Sequence, residues 1–324
     1  MNEGLILAAG GLTTLVLMLA VMPALIRYLH KLKFGQTERE EGLASHKAKT
    51  GTPTMGGLAF IIVPLVVYAV FSLFTPYGFS LNTTIIWMAF VGYGLIGFLD
   101  DFIIVVQKNN EGLKPWAKFG LQSLLAVVFY MMYTQTNSTE IIIPVADISI
   151  NLSWFYFILV FIMFTGASNA VNLTDGVDGL AAGLAAIALV PFSVFAFMQS
   201  QDSIGIICVL VIAALLGYLK FNLHPAQVFM GDTGSLALGG LLAAVAMVLK
   251  QEVLFIVIGG VFIMETLSVM IQVAVYKKTK KRVFRMAPLH HHFEKGGWNE
   301  NKVVDCFWMA GGILAIIGLL LGGM

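Results

Sequence analysis

The sequence predicts an all-α polytopic membrane protein of about ten transmembrane helices, and three observations carry that prediction. Of its 324 residues, 58% are hydrophobic and only 11% charged, with a mean hydropathy of +0.87, far too apolar for a soluble domain of this size. Apolar runs long enough to cross a bilayer, at roughly 20 residues each, recur along the whole chain. The third observation is where the charges fall: 19 Lys and Arg face 18 Asp and Glu, and the bases gather in alternate loops.

Taken in order, the apolar windows fall at 5–29, 56–74, 84–106, 117–134, 154–170, 180–198, 204–221, 235–249, 253–276 and 304–322. The first follows Met-Asn-Glu-Gly, which lacks the basic n-region of a cleavable signal peptide, so it is expected to stay as a permanent helix. Arg27, Lys31, Lys33, Arg39, Lys47 and Lys49 follow it; Lys108, Lys114 and Lys118 follow the third window, Lys220 the seventh, and a long basic loop from Lys277 to Lys302 the ninth. All these loops lie on one side. Lys250 is the one base in a loop on the other, so the positive-inside rule makes the basic side cytoplasmic and sends both termini outward. The longer external stretch, about 135–152, is expected to form a small hairpin from Ile141-Ile-Ile-Pro144 and Ile148-Ser-Ile150.

No soluble domain, linker or internal repeat interrupts the chain, which reads as one integral membrane domain over 1–324. Small residues at Gly234, Ala237, Gly239 and Gly240 imply close packing around the eighth helix, and packing of that kind would permit a homodimer. Near-neutral net charge leaves no electrostatic footprint for nucleic acid. Cys208 and Cys306 provide neither a disulfide framework nor a CxxC site.

Polar groups are expensive at a membrane boundary, so their surplus needs a reason. The largest surplus is Asn169-Ala-Val-Asn172-Leu-Thr-Asp175-Gly-Val-Asp178-Gly-Leu180, set between two apolar runs. Asp175 or Asn172 could cap a helix beginning near Gly176, with Asp175 and Asp178 spaced as a capping box. A cap uses one or two of the four, and the remainder point to a polar ligand. Lys47 to Gly57 forms a basic, glycine-rich turn containing Lys49 and Thr54, suited to phosphate or simply to a helix start beside anionic lipid. Asp100-Asp101 interrupts the third window near its C-terminal end; adjacent on a helix, the two point roughly 100° apart and should do different jobs. In Asn222 to Ser235, Asp232 is either an N-cap of the eighth helix or, with the other acids on its face, a Mg²⁺ ligand. His290, His291 and His292 stand in Pro288-Leu-His-His-His-Phe-Glu294 without Cys ligands, as contacts for phosphate or hydroxyl rather than as one chelate. Glu265, deep in the ninth window, is expected to be a buried packing partner.

These motifs together resemble the polyprenyl-phosphate N-acetylhexosamine-1-phosphate transferases. The resemblance rests on Phe98-Leu-Asp100-Asp101, the 169–180 stretch, Val228-Phe229-Met-Gly-Asp232-Thr-Gly-Ser and Ala287-Pro-Leu-His-His-His-Phe-Glu. Lys-Thr-Gly-Thr-Pro-Thr-Met-Gly-Gly and the triple histidine are similar to the branch that handles muramoyl-pentapeptide. Five ordered motifs are far more specific than any one. The resemblance implies transfer of phospho-MurNAc-pentapeptide from UDP-MurNAc-pentapeptide to undecaprenyl phosphate with Mg²⁺, giving lipid I and UMP in peptidoglycan synthesis, at the cytoplasmic face of the bacterial membrane bilayer. It further implies that Asp232 holds Mg²⁺, that Asp100 orients or deprotonates the acceptor phosphate, and that Asp101 supports the acceptor or the metal. Asn169, Asn172, Asp175 and Asp178 would line the nucleotide pocket with Lys49, Thr54 and Asn222 nearby and Phe229 on uracil; Lys118, His290, His291 and His292 would meet phosphates or sugar. Many members carry a lysine where this chain has Ile104, so Lys108 or Lys118 is left to supply that charge. Two alternatives remain at this level: a sister transferase using UDP-GlcNAc, and a secondary transporter of an organic anion, whose acids would be expected nearer the membrane midplane.

Overall fold

The computed structural model describes residues 3–32, 51–107, 112–146 and 148–323. Lys47, Lys49 and Lys108 lie outside these residues. The described residues are mostly helical, with α1 (Glu3–Lys31), α2 (Gly57–Ser72), α3 (Leu81–Gln107), α4 (Pro115–Tyr133), α5 (Tyr156–Thr174), α6 (Leu180–Met198), α7 (Asp202–Asn222), α8 (Gly231–Val248), α9 (Glu252–Ile258), α10 (Gly260–Thr279), α11 (Leu289–Glu294) and α12 (Glu300–Gly322). Eight of these helices are long and apolar enough to cross a membrane; α2, at 16 residues, is shorter. The predicted hairpin is present as β1 (Glu140–Ile143) paired antiparallel with β2 (Ile148–Asn151).

The ninth window departs from expectation. It is two helices, α9 and α10, divided at Gly259. Adjacent glycines at 259 and 260 remove the side chains that would otherwise hold one continuous rod, a common cause of a helix break.

The bundle is built around α8, which is buried along nearly its full length. Its small residues let neighbours approach to backbone distance: Gly239 lies against the α5 backbone at Ala167 and Ser168, and Gly240 against the ring of Tyr93 on α3. Larger residues would push these helices apart, because without a hydrophobic driving force in lipid the association rests on close packing. The α3 contact is tightest at Gly97, where an added Cβ would overlap the backbone of Asp232. That approach brings the acidic end of α3 against the start of α8.

The end of the bundle with the hairpin explains how a lone base is tolerated there. Lys250 donates to the Tyr133 hydroxyl and to the Ser138 carbonyl, and lies 4.9 and 5.0 Å from the ring centroids of Tyr133 and Tyr156. The two rings stack at 5.2 Å, and the Tyr156 hydroxyl donates to Glu252. Burial pushes the Lys250 ammonium below its ordinary pKa, against the opposing pull of Glu252 and Glu140.

Candidate active site

At the opposite end, segments far apart in sequence meet. The turn before α2 and the segment before α8 run side by side: the Phe229 N–H donates to the Pro53 carbonyl (2.8 Å), the Gly56 N–H to the Phe229 carbonyl (2.8 Å), and the Gly57 N–H to the Met230 carbonyl (3.2 Å). Gly231 then turns the chain into α8 with φ +69°, a left-handed conformation that favours glycine. A Cβ there would collide with Thr54 and Asp101. Thr54 is thus fixed beside the acids, buried, with its hydroxyl lacking a hydrogen-bond partner among the described residues.

Asp100 and Asp101 are both buried on α3, more than a turn inside the helix rather than at its end, and they do take different partners. Asp101 accepts the Asp232 N–H (3.1 Å), the Thr233 N–H (3.0 Å) and the Thr233 hydroxyl (2.6 Å). These are first-turn donors of α8 that have no partner within the helix. The expectation that Asp232 caps its own helix is therefore corrected: the Asp232 carboxylate makes no cap bond, and α3 supplies the acceptor from outside. Asp100 accepts the Leu113 N–H (3.0 Å) and stands 3.8 Å from the Lys118 ammonium.

Lys118 also donates to Asp232, so Asp100 and Asp232 face one cation. The other oxygen of Asp232 accepts from Asn172 on α5 (2.7 Å), whose amide also donates to Ser235 (2.9 Å). Asp100 and Asp232 share one ammonium, with Asp101 behind them, and the cluster carries a formal surplus of negative charge. Ile104 brings no charge to it; Lys118 does.

The 172–180 stretch does not cap α6. That helix begins at Leu180 after Gly179, φ +80°, without a side-chain cap, so the predicted start near Gly176 and the capping box are both corrected. Asp178 is instead pinned: its carboxylate accepts the Ala226 N–H (3.0 Å) and meets His224 Nδ1 (3.1 Å), and its own N–H donates to Glu300 (3.0 Å). Glu300 reaches the same His224 nitrogen at 3.1 Å. Asp178, His224 and Glu300 bring ligand atoms within 4.8 Å of one another, a spacing that could hold a metal ion. Asn222 is buried and spends both ends on backbone, accepting from Gly179 N–H (3.1 Å) and donating to the Val228 carbonyl (2.9 Å). It ties the two motifs together. Asp175, at the C-terminus of α5, and the Phe229 ring are both half-buried at the same end. Asn169 is not brought into the cluster: it is exposed and its amide donates back to Thr165 of its own helix (2.7 Å).

The three histidines separate in role. His290 is fully buried, with Nδ1 at 3.2 Å from Glu265, and its Nε2 faces the turn at Gly176, where an added Cβ would strike it. Glu265 also accepts the Leu289 N–H (2.6 Å) and the His290 N–H (3.2 Å). The buried acid predicted as a packing partner therefore anchors the start of α11, a burial sustained only because the carboxylate is hydrogen-bonded. His291 meets Glu294 at 2.7 Å, and His292 accepts the Arg285 N–H at 3.1 Å.

Sequence reasoning missed His224, Glu300 and Thr233. Glu300 stands in the first turn of α12 behind the Asn299 cap, where an acid reads as an ordinary helix start. His224 lies inside a stretch already singled out, but its two acidic partners come from 178 and 300, which no local spacing announces.

A sequence profile of the glycosyl transferase family 4 matches residues 83–250, a span that holds Asp100, Asp101, Lys118, Asn172, Asp178 and Asp232. Proteins named phospho-N-acetylmuramoyl-pentapeptide-transferase align over nearly all of both chains: 49% identity over 324 residues for Bacillus thuringiensis (strain Al Hakam), covering 99% of each. The values are 49% over 323 residues for Bacillus cytotoxicus, and 49% over 324 for Bacillus cereus (strain AH187), again with 99% of each chain covered. The histidine motif and the glycine-rich turn lie outside the profile but inside these full-length alignments. By the profile and by this near-complete identity, the chain belongs to the glycosyl transferase family 4 and, within it, to the phospho-N-acetylmuramoyl-pentapeptide transferases.

Proposed function

We propose that this multi-pass membrane transferase moves phospho-MurNAc-pentapeptide from UDP-MurNAc-pentapeptide to undecaprenyl phosphate, releasing UMP and leaving lipid I, at the cytoplasmic face of the bacterial membrane. One observation carries the reading beyond family membership. Asp100 and Asp232, from helices separated by more than 100 residues, converge on one cation.

In the reaction an oxygen of the acceptor phosphate attacks the phosphorus attached to the sugar, and the bond from that phosphorus to the UMP oxygen breaks. One pyrophosphate linkage replaces another, so the protein need supply only alignment and charge neutralisation. In this reading Asp100 orients the acceptor phosphate or takes its proton. Asp101 serves as a positioning residue, because its oxygens are committed to the start of α8 and so fix where Asp232 stands. Lys118 neutralises charge between the two acids, and Asn172 holds the Asp232 carboxylate in one rotamer. Asp175, Asp178 and Phe229 form the nucleotide side, with Asn222 as its brace. Direct attack is favoured over a covalent aspartyl intermediate, since the acceptor is already an anionic nucleophile.

The residues fit Mg²⁺. Asp232 and Asp100 present hard carboxylate oxygens toward the point where the Lys118 ammonium now stands in for a cation, and Mg²⁺ bound with phosphates takes one or two such carboxylates. When bound there, Mg²⁺ would neutralise the donor pyrophosphate. Asp232 is the principal ligand proposed.

The test is UMP release by the detergent-solubilised protein given UDP-MurNAc-pentapeptide, undecaprenyl phosphate and Mg²⁺. Release should require both lipid and Mg²⁺ and collapse in Asp232→Asn. Release with UDP-GlcNAc in place of the muramoyl donor would move the donor assignment; silence with both would overturn the transferase reading.

A further inference from the structure

Glu265 lies in the interior of α10, fully buried, where an acid is costly unless something uses it. Its two oxygens face one short stretch of chain. Oε2 accepts the Leu289 N–H (2.6 Å), and Oε1 accepts the His290 N–H (3.2 Å) while also standing 3.2 Å from the His290 ring at Nδ1. Anchoring the start of α11 accounts for the first two contacts and leaves the third unexplained.

The third contact decides the chemistry of the ring. Both carboxylate oxygens already accept backbone N–H groups, so the pair is joined when Nδ1 brings the proton, and the partner of one ring nitrogen sets the state of the other. Nε2 is then the atom left to act. It is buried, it has no hydrogen-bond partner among the described residues, and it faces the 175–178 turn, where a Cβ added at Gly176 would strike it. A buried polar atom without a partner is rare in a folded protein. This one faces the turn that carries Asp175 and Asp178, the nucleotide side of the proposed site, so a bound donor is what can complete it.

We infer that Glu265 is a positioning residue for the transfer: by holding the proton on Nδ1 it fixes the tautomer and direction of the His290 ring, and so presents Nε2 to the UDP-linked sugar donor. The inference rests on the transferase reading. It adds to that reading a residue of a membrane-buried helix that acts only through His290.

The test is a double-mutant cycle on UMP release by the detergent-solubilised full-length protein, joined to nitrogen NMR spectra of the histidine rings. Glu265→Gln keeps the size of the side chain and should cut kcat about 10²-fold. In a His290→Ala background, read at its residual rate, the same substitution should change kcat by no more than about twofold, because Glu265 has nothing left to act through. Effects that multiply would overturn the inference and leave Glu265 as an anchor of α11 alone. The spectra put the question without turnover and without a variant at 265. In the wild type, with the His290 signals identified by their loss in His290→Ala, Nδ1 should carry a proton, and UDP-MurNAc-pentapeptide should shift Nε2 while Nδ1 stays in place. A bare Nδ1, or an Nε2 signal indifferent to the donor, would overturn the inference even where Glu265→Gln failed to fold. The two readings fail separately: a wild type that releases no UMP sinks the transferase, whereas a fully active Glu265→Gln beside an active wild type sinks only this role of Glu265.

Discussion

Lys118 and Lys250 stand at opposite ends of α4, about 22 Å apart along its axis at 1.5 Å per residue from Lys118 to the Tyr133 that Lys250 contacts. Each ammonium is partly buried and each is held by side chains from several helices, yet the two environments differ in balance. Around Lys250 the partners are the Tyr133 hydroxyl, the rings of Tyr133 and Tyr156 and main-chain carbonyls, with the charges of Glu252, reached through Tyr156, and Glu140 further out. Every group that holds this ammonium is supplied by the protein itself. Around Lys118 there are Asp100 and Asp232 directly, with Asp101 behind them. One ammonium does not formally balance these carboxylates, and the proposed reading answers the difference with a further cation, or a ligand that brings one. The difference separates a clasp from a site, and it can be broken at either end.

The largest effect should come from Asp100→Asn. The substitution keeps the shape and the Leu113 hydrogen bond but removes the charge that faces the acceptor, so turnover should fall about 10²- to 10⁴-fold, the range typical of a lost acid–base group. Thermal stability should change little. UMP release close to the wild-type rate would remove Asp100 from the chemistry. Asp101→Asn should behave differently despite being its neighbour. It costs the α8 start a charged acceptor for three donors, so stability should drop by about 1–3 kcal/mol together with turnover. A variant that lost turnover with its melting temperature intact would mean that Asp101 acts on substrate directly.

How far these roles could be read beforehand depended on how local they are. The acids themselves were legible because polar side chains at the boundary of apolar runs are costly wherever they point. The central place of α8 was legible in Gly234, Ala237, Gly239 and Gly240. What escaped was pairing across the chain. The α8 cap comes from Asp101, 131 positions from the N–H it accepts, and a capping rule that looks one turn upstream selects Asp232 instead. Asp175 and Asp178 had the spacing of a capping box, but Gly179 in a left-handed conformation delays the helix to Leu180 and frees Asp178 to hold His224 and Ala226 N–H. Asn169 differed from Asn172 only in direction, and three residues along α5 were enough to turn it away from the cluster.

At the clasp, Lys250→Met should lower stability by about 1–3 kcal/mol, because the buried Tyr133 hydroxyl and the Ser138 carbonyl lose their donor and Glu252 loses the positive charge near it. Turnover per folded molecule should stay as it was. The pair Lys250→Met/Glu252→Gln should cost less than the sum of its single changes, as expected for charges that interact. Exact additivity, measured by thermal unfolding in one detergent, would show that the two do not form a unit.

The smallest effect, and the sharpest for the comparison, is in metal affinity at the other lysine. Lys118 now occupies the point that Asp100 and Asp232 share, so a divalent cation must displace or reposition it. In Lys118→Met the carboxylates keep their charge and lose that competitor. Mg²⁺ should therefore stabilise the variant more than the wild type, with a midpoint in a thermal-shift titration lower by about tenfold, equivalent to roughly 1.4 kcal/mol, even as turnover suffers from the missing cation. The same titration on Lys250→Met should match wild type, since no surplus charge is released there. If Mg²⁺ stabilised both lysine variants equally, the surplus of acid around Lys118 would not be what recruits the metal, and the distinction between the two ends would rest on geometry alone.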